Sequence, residues 1–128
     1  MEEPRQIDTP KARVRRAADG IIEVCWHDGA VVDVDDVLEV LEAEGRLMGE
    51  RALALIDARP VRSMTRAAQR VTTEHAVAAR TDAAAILIGS EVSRLLGQFF
   101  LAIGRPRYPT RLFTDPTHAR SWLLSHRG

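Results

Sequence analysis

The chain has 128 residues, 45% of them hydrophobic and 28% charged, and its eighteen basic and eighteen acidic side chains leave no formal net charge. That length suits one domain with its own core, the apolar content excludes a disordered chain, and the balanced, interleaved charge argues against a nucleic-acid partner, which needs a basic face. Cys25 is the single cysteine, so no intrachain disulfide can form, and with no apolar run near the roughly 18 residues that span a bilayer and no signal-like N-terminus, a cytoplasmic protein without a membrane span is expected.

Residues 1–10 hold two prolines and no periodicity and read as a flexible leader before a single domain over 11–128. Strands are expected at 12–17 and 21–26. Asp19-Gly20 between them suits a type I′ turn, which makes the pair a hairpin. In the second strand Ile22, Val24 and Trp26 share one face, and Glu23 and Cys25 the other. Asp33 is placed as a helix N-cap. Val34, Val37, Leu38 and Leu41 follow at helical spacing, Glu39 and Glu42 point away, and Gly45 and Gly49 mark the end. The run Leu53-Ala54-Leu55-Ile56-Asp57 suits a buried central strand.

A second helix is expected over 63–80, capped by Ser63, with Met64, Ala68, Val71, His75 and Ala78 inward and a polar stripe of Arg62, Arg66, Arg70 and Glu74. Another buried strand covers 83–88. Gly89-Ser90, with Ser90 as N-cap, leads to a helix carrying Val92, Leu95, Leu96, Phe99, Phe100 and Ile103, closed by Gly104 and Pro106. A last strand at 110–114 precedes a helix capped by Asp115, opened by Pro116 and burying Ala119, Trp122 and Leu123. The predicted class is α/β: an N-terminal β-hairpin, then alternating helices and strands. Four helices would cover a mostly parallel sheet with one antiparallel strand at its edge.

This order, with Phe99-Phe100, Pro106, Pro109-Thr110-Arg111-Leu112-Phe113 and Ala119-x-x-Trp122-Leu123, resembles the STAS fold of the anti-sigma factor antagonists, and in particular their SpoIIAA-like bacterial relatives. The topology covers nearly the whole chain and the motifs about a third of it. The resemblance implies a non-catalytic regulatory module that makes protein–protein contacts. In that family a serine at the start of the helix after the central strand is phosphorylated by a partner kinase. Ser63 or Thr65 would hold that position here, although the family's Asp-Ser-Ser-Gly string is absent. Among SpoIIAA-like proteins the resemblance also implies an alternative, a carrier or sensor of a small apolar or lipid-like ligand, at a membrane surface in some cases.

No catalytic constellation is found. His118 and His126 lie eight residues apart, about 12 Å along one helix, too far to share a metal, and His27 and His75 have no ligand-type spacing around them. Cys25 reads as a small mid-strand hydrophobe. Gly89-Ser90-Glu91-Val92-Ser93 lacks the second glycine of a nucleophile elbow, and no phosphate-cradling glycine loop occurs. Neither a metal nor another cofactor is therefore expected, and no enzyme. In open parallel sheets ligands meet the carboxyl ends of the strands, so Asp57, Arg59, Ser63, Ser90 and Asp115 are the candidate binding or regulatory residues, toward an unknown protein partner or a small apolar ligand. The wide apolar face around Phe99, Phe100 and Ile103 predicts a homodimer.

Overall fold

A computed structural model describes residues 5–74, 76–89 and 108–127. The helix expected around Val92–Ile103, with Ser90, Phe99 and Phe100, lies outside them. The described strands are β1 (Gln6–Asp8), β2 (Ala12–Arg16), β3 (Ile22–Trp26), β4 (Val31–Val32), β5 (Ala52–Asp57), β6 (Ser63–Met64), β7 (Thr81–Leu87) and β8 (Thr110–Phe113). The described α-helices are three, where four were expected: α1 (Val34–Leu47), α2 (Arg66–Glu74) and α3 (Pro116–Leu124), with a 3₁₀ stretch at Ala76–Arg80.

Six strands form one sheet in the order β1-β2-β3-β5-β7-β8. β1, β2 and β3 pair antiparallel, whereas β3, β5, β7 and β8 run parallel. Part of the expected leader is therefore a strand: Ile7 of β1 stands opposite Val14 and packs on the core, which sequence periodicity over three residues could not reveal. The hairpin between β2 and β3 also differs from expectation. Ala17 N donates to Ile21 O at 2.9 Å and Gly20 N to Ala17 O at 2.9 Å, leaving a three-residue loop with Gly20 at φ +86°. A turn followed by a left-handed glycine is the next commonest hairpin link after the two-residue type I′ loop.

The sheet is covered on both sides. In front, Val14, Ile22, Val24 and Trp26 pack with Val37, Val40, Leu41 and Leu47 of α1 and with Ala68 and Val71 of α2. Behind, Leu53, Leu55, Ala83, Ala85 and Leu87 pack with Ala119 and Leu123 of α3. β5 and β7 bury both faces, and this is why their sequences are continuous apolar runs rather than alternating ones.

Asp33 caps α1 as predicted, accepting from Val34 N at 2.8 Å, and Asp36 Oδ2 accepts from Asp33 N at 2.9 Å to complete a capping box. The buried stripe of α1 is rotated from the expected one: it runs Val37, Val40, Leu41, Glu44 and Leu47, while Leu38 is exposed. The second helix starts later than expected. Ser63 and Met64 pair with Val31 and Val32 in a small parallel sheet, so Thr65, not Ser63, caps α2, its hydroxyl accepting from Ala68 N at 3.1 Å. Asp115 caps α3 by accepting from Thr117 N at 2.9 Å, with Pro116 in the first turn.

Candidate functional site

Where α1 and α2 cross the front of the sheet, their side chains do not close on it completely. A cavity of about 110 Å³ lies between them. The sheet contributes Val24, Trp26, Ala54, Ile56, Ala84, Ile86 and Thr110; α1 contributes Val37, Val40, Leu41 and Glu44; Gln69 and Thr72 come from α2, and Met64, Val77 and Tyr108 complete its described walls. The space has a cause in the sequence. Ala54 and Ala84 stand in register on neighbouring strands, so two adjacent positions at the middle of the front face carry a methyl where a packed core would carry larger side chains.

Among the described residues few polar groups reach this chamber, and the threonines are already engaged. Thr72 Oγ1 donates to Gln69 O at 2.6 Å, Thr81 Oγ1 to Val77 O at 3.0 Å and Thr110 Oγ1 to Tyr108 O at 3.1 Å. Gln69 is different. It is 1% exposed, its Nε2 donates to Met64 O at 3.5 Å, and its Oε1 is buried without a hydrogen-bond partner among the described residues. Glu44 is also buried, and loss of hydration pushes its carboxyl up to about 7. Burial, and then the nearby charge of Glu44, raise the Tyr108 phenol to about 12. The arrangement can hold an apolar body and address it through separate polar groups in the wall, Gln69 on α2 and Glu44 on α1.

None of this cluster was singled out in the sequence. Glu44 carried a readable signal, since it follows Val37 by seven residues and so falls on the apolar stripe once that stripe is counted from Val37. Gln69 and Tyr108 carried none, because only the tertiary fold brings them together.

The rim residues expected as the site are placed as follows. Asp57, at the end of β5, accepts from Arg59 Nε at 2.9 Å, Nη2 at 2.8 Å and backbone N at 3.1 Å. The Arg59 side chain holds the Asp57 carboxyl below the usual range. Gly89 lies beside this pair; a Cβ there would come within 3.2 Å of Arg59 Cγ. Ser63 is exposed in β6. Thr65 Oγ1 also donates to Asp33 Oδ1 at 3.1 Å, so a phosphate on Thr65 would break a cap and face a carboxylate. Asp115 is occupied as an N-cap, with His118 Nδ1 3.5 Å from its Oδ2. The structure thus joins Asp57 to Arg59, and ties Thr65 to Asp33.

Cys25 is exposed rather than packed among apolar neighbours as expected. What burial it has, then the charges of Asp57 and Glu23, raise its thiol pKa, which is the opposite of what a thiolate nucleophile needs. Among the described residues no group of three His, Cys, Asp or Glu side chains could hold a metal ion, and no helix is long and apolar enough to cross a membrane.

No protein of curated function matches the sequence. An uncharacterised DUF3478-family protein with a SpoIIAA-like fold from Shewanella loihica PV-4 superposes with a TM-score of 0.61 at 16% identity, over 96% of this chain and 98% of that one. A protein of unknown function from Arthrobacter sp. FB24 aligns at 27% identity over 87% of this chain and 97% of its own, with a TM-score of 0.34. The first likeness establishes the SpoIIAA-like fold that the resemblance implied. A family model described as a domain of unknown function, DUF7793, matches residues 16–127. The chain therefore belongs to the DUF7793 family, and its fold is SpoIIAA-like.

Proposed function

We propose that this domain is a non-catalytic binding module that encloses a small, mainly apolar ligand between α1, α2 and the front of the sheet. The observation that carries this reading is the Gln69 carbonyl oxygen, buried and, among the described residues, unpartnered at the wall of a mainly apolar cavity. Leaving such an acceptor unsatisfied costs about 1–3 kcal/mol, a cost that a donor on a bound ligand would offset. The volume of about 110 Å³ is comparable with the roughly 150 Å³ of an engineered core cavity that takes up benzene. The part of the ligand that enters is therefore the size of a small ring or a short alkyl chain. A regulatory protein contact at the rim has weaker support, since Arg59 is engaged by Asp57 and Thr65 by Asp33.

Titration of ¹⁵N-labelled protein with n-pentane tests this reading. The expected result is saturable shifts at the amides of Val24, Val40 and Ala84, lost in Ala84→Leu, whose side chain occupies the middle of the cavity. Absence of shifts in the wild type, or an undiminished response in a folded Ala84→Leu protein, would overturn it. Native and then denaturing mass spectrometry of the purified protein reads directly whether a small molecule is retained.

A further inference from the structure

The Gln69 side chain fixes the sense of the hydrogen bond left unmade at the α2 wall of the cavity. Its Nε2 donates to the Met64 carbonyl at 3.5 Å, so the group without a partner among the described residues is the oxygen, an acceptor. Reversing the amide would set that oxygen against the Met64 carbonyl. The neighbouring hydroxyls of α2 have no proton to spare, since Thr72 donates to Gln69 O at 2.6 Å and Thr65 to Asp33 Oδ1 at 3.1 Å. Glu44 and Tyr108 form a separate polar region. Glu44 lies on α1 next to Gly45, whose neighbours are Arg80 and Val77, and burial and then the charge of Glu44 raise the Tyr108 phenol. A phenol donates and a carboxylate accepts, so that region has both kinds of group and makes no one-sided demand on a ligand. Gln69 does.

We propose that the ligand is a neutral molecule with a hydroxyl or a ring N–H on an apolar body the size of one small ring, and that this donor meets Gln69 Oε1. The size follows from the volume of about 110 Å³, and the donor from the acceptor that Gln69 leaves open. Neutrality follows from the amide itself. An ammonium group would be stripped of water against an uncharged oxygen, a desolvation that one amide does not offset. A carboxylate, an ether or a ketone presents only lone pairs, and a plain hydrocarbon presents nothing, so each fills the space and leaves Gln69 unpaired. The proposal rests on the cavity being a ligand site and adds to it the chemical class of the ligand and the side chain that selects it.

The experiment titrates the whole ¹⁵N-labelled chain with two pairs of similar shape, phenol against toluene and pyrrole against furan, in which only the first member carries a donor. In the wild type the Gln69 side-chain amide resonances are expected to shift with phenol and pyrrole and to stay nearly still with toluene and furan. Gln69→Met keeps the bulk and removes the acceptor. It is expected to lower the phenol-to-toluene affinity ratio at least about fivefold, the lower end for leaving a buried hydroxyl unpaired, while toluene still binds. Glu44→Gln and Tyr108→Phe are expected to leave that ratio within about twofold, as changes away from the contact do. A ratio that is unchanged in Gln69→Met, or that falls in the Glu44 or Tyr108 variant instead, overturns the assignment to Gln69 while the cavity reading stands. So does a wild-type Gln69 amide that responds to all four compounds alike, a result that needs no variant. Failure of all four to bind overturns the cavity reading and this inference with it.

Discussion

Glu44 shows how one side chain can set the pH response of a small domain. Its carboxyl is buried at the cavity wall and titrates near 7 in the folded chain, against 4.5 for an ordinary glutamate. The folded state therefore holds this proton more tightly than the unfolded one. The stabilising effect is complete below pH 4.5, is lost as pH rises toward 7, and changes no further above it. At pH 8 the buried charge costs on the order of a few kcal/mol. Glu44→Gln is accordingly expected to stabilise the ligand-free protein in urea denaturation at pH 8 by that order and to change little at pH 5. An equal effect at both pH values would show that packing, not ionisation, governs this site. Asp57 acts in the opposite sense: Arg59 depresses its pKa below the usual 3.8, so its contribution is present above that value and is lost as pH falls below it. Since the pair is partly exposed, its share is small.

At the scale of elements, two departures from the expected boundaries, the start of α2 and the strand β1, share a cause. The core strands and the caps at Asp33 and Asp115 were legible because each depends on its own neighbours: an apolar run, or a carboxylate one turn from free N–H groups. The start of α2 was not. Ser63 is as good an N-cap as Thr65 by residue type, but the chain at 63–64 pairs with Val31 and Val32, and a partner thirty residues away leaves no local trace. The same holds for β1, whose three residues become a strand only because β2 lies beside them. Thr65 is consequently a joint between two helices, capping α2 through Ala68 N while its hydroxyl reaches the N-cap of α1. Thr65→Ala is expected to cost about 1 kcal/mol in urea denaturation, the usual worth of a cap, and Thr65→Ser to recover most of it. A negligible loss in the alanine variant would mean that the small β4–β6 sheet holds this corner unaided.

The whole molecule divides its labour between the two faces of the sheet. The α/β alternation and the parallel core could be read from the sequence because they follow from the order of apolar segments, and the SpoIIAA-like fold because that order and the residues 109–123 resemble the family. The site could not, because the cavity arises from what is missing at Ala54 and Ala84, and small residues in a strand look the same whether a neighbour fills the space or not. Those two alanines face front, whereas Ala83 and Ala85, their neighbours in β7, face back and are filled by α3. The back layer thus supplies stability without touching the chamber. Leu123, 0% exposed between α3 and the sheet, is the clearest test. Its replacement by alanine is expected to cost about 2–5 kcal/mol, the range for emptying a packed leucine site. With the sheet intervening, the effect on n-pentane affinity should stay within about threefold, as for independent sites. The measurement pairs urea denaturation of Leu123→Ala with the n-pentane titration under conditions where the variant remains folded. A stability loss of that size with unchanged affinity identifies the back layer as a scaffold. A parallel loss of affinity would show that β5 and β7 carry strain from one face to the other, and that the cavity depends on tight packing behind it.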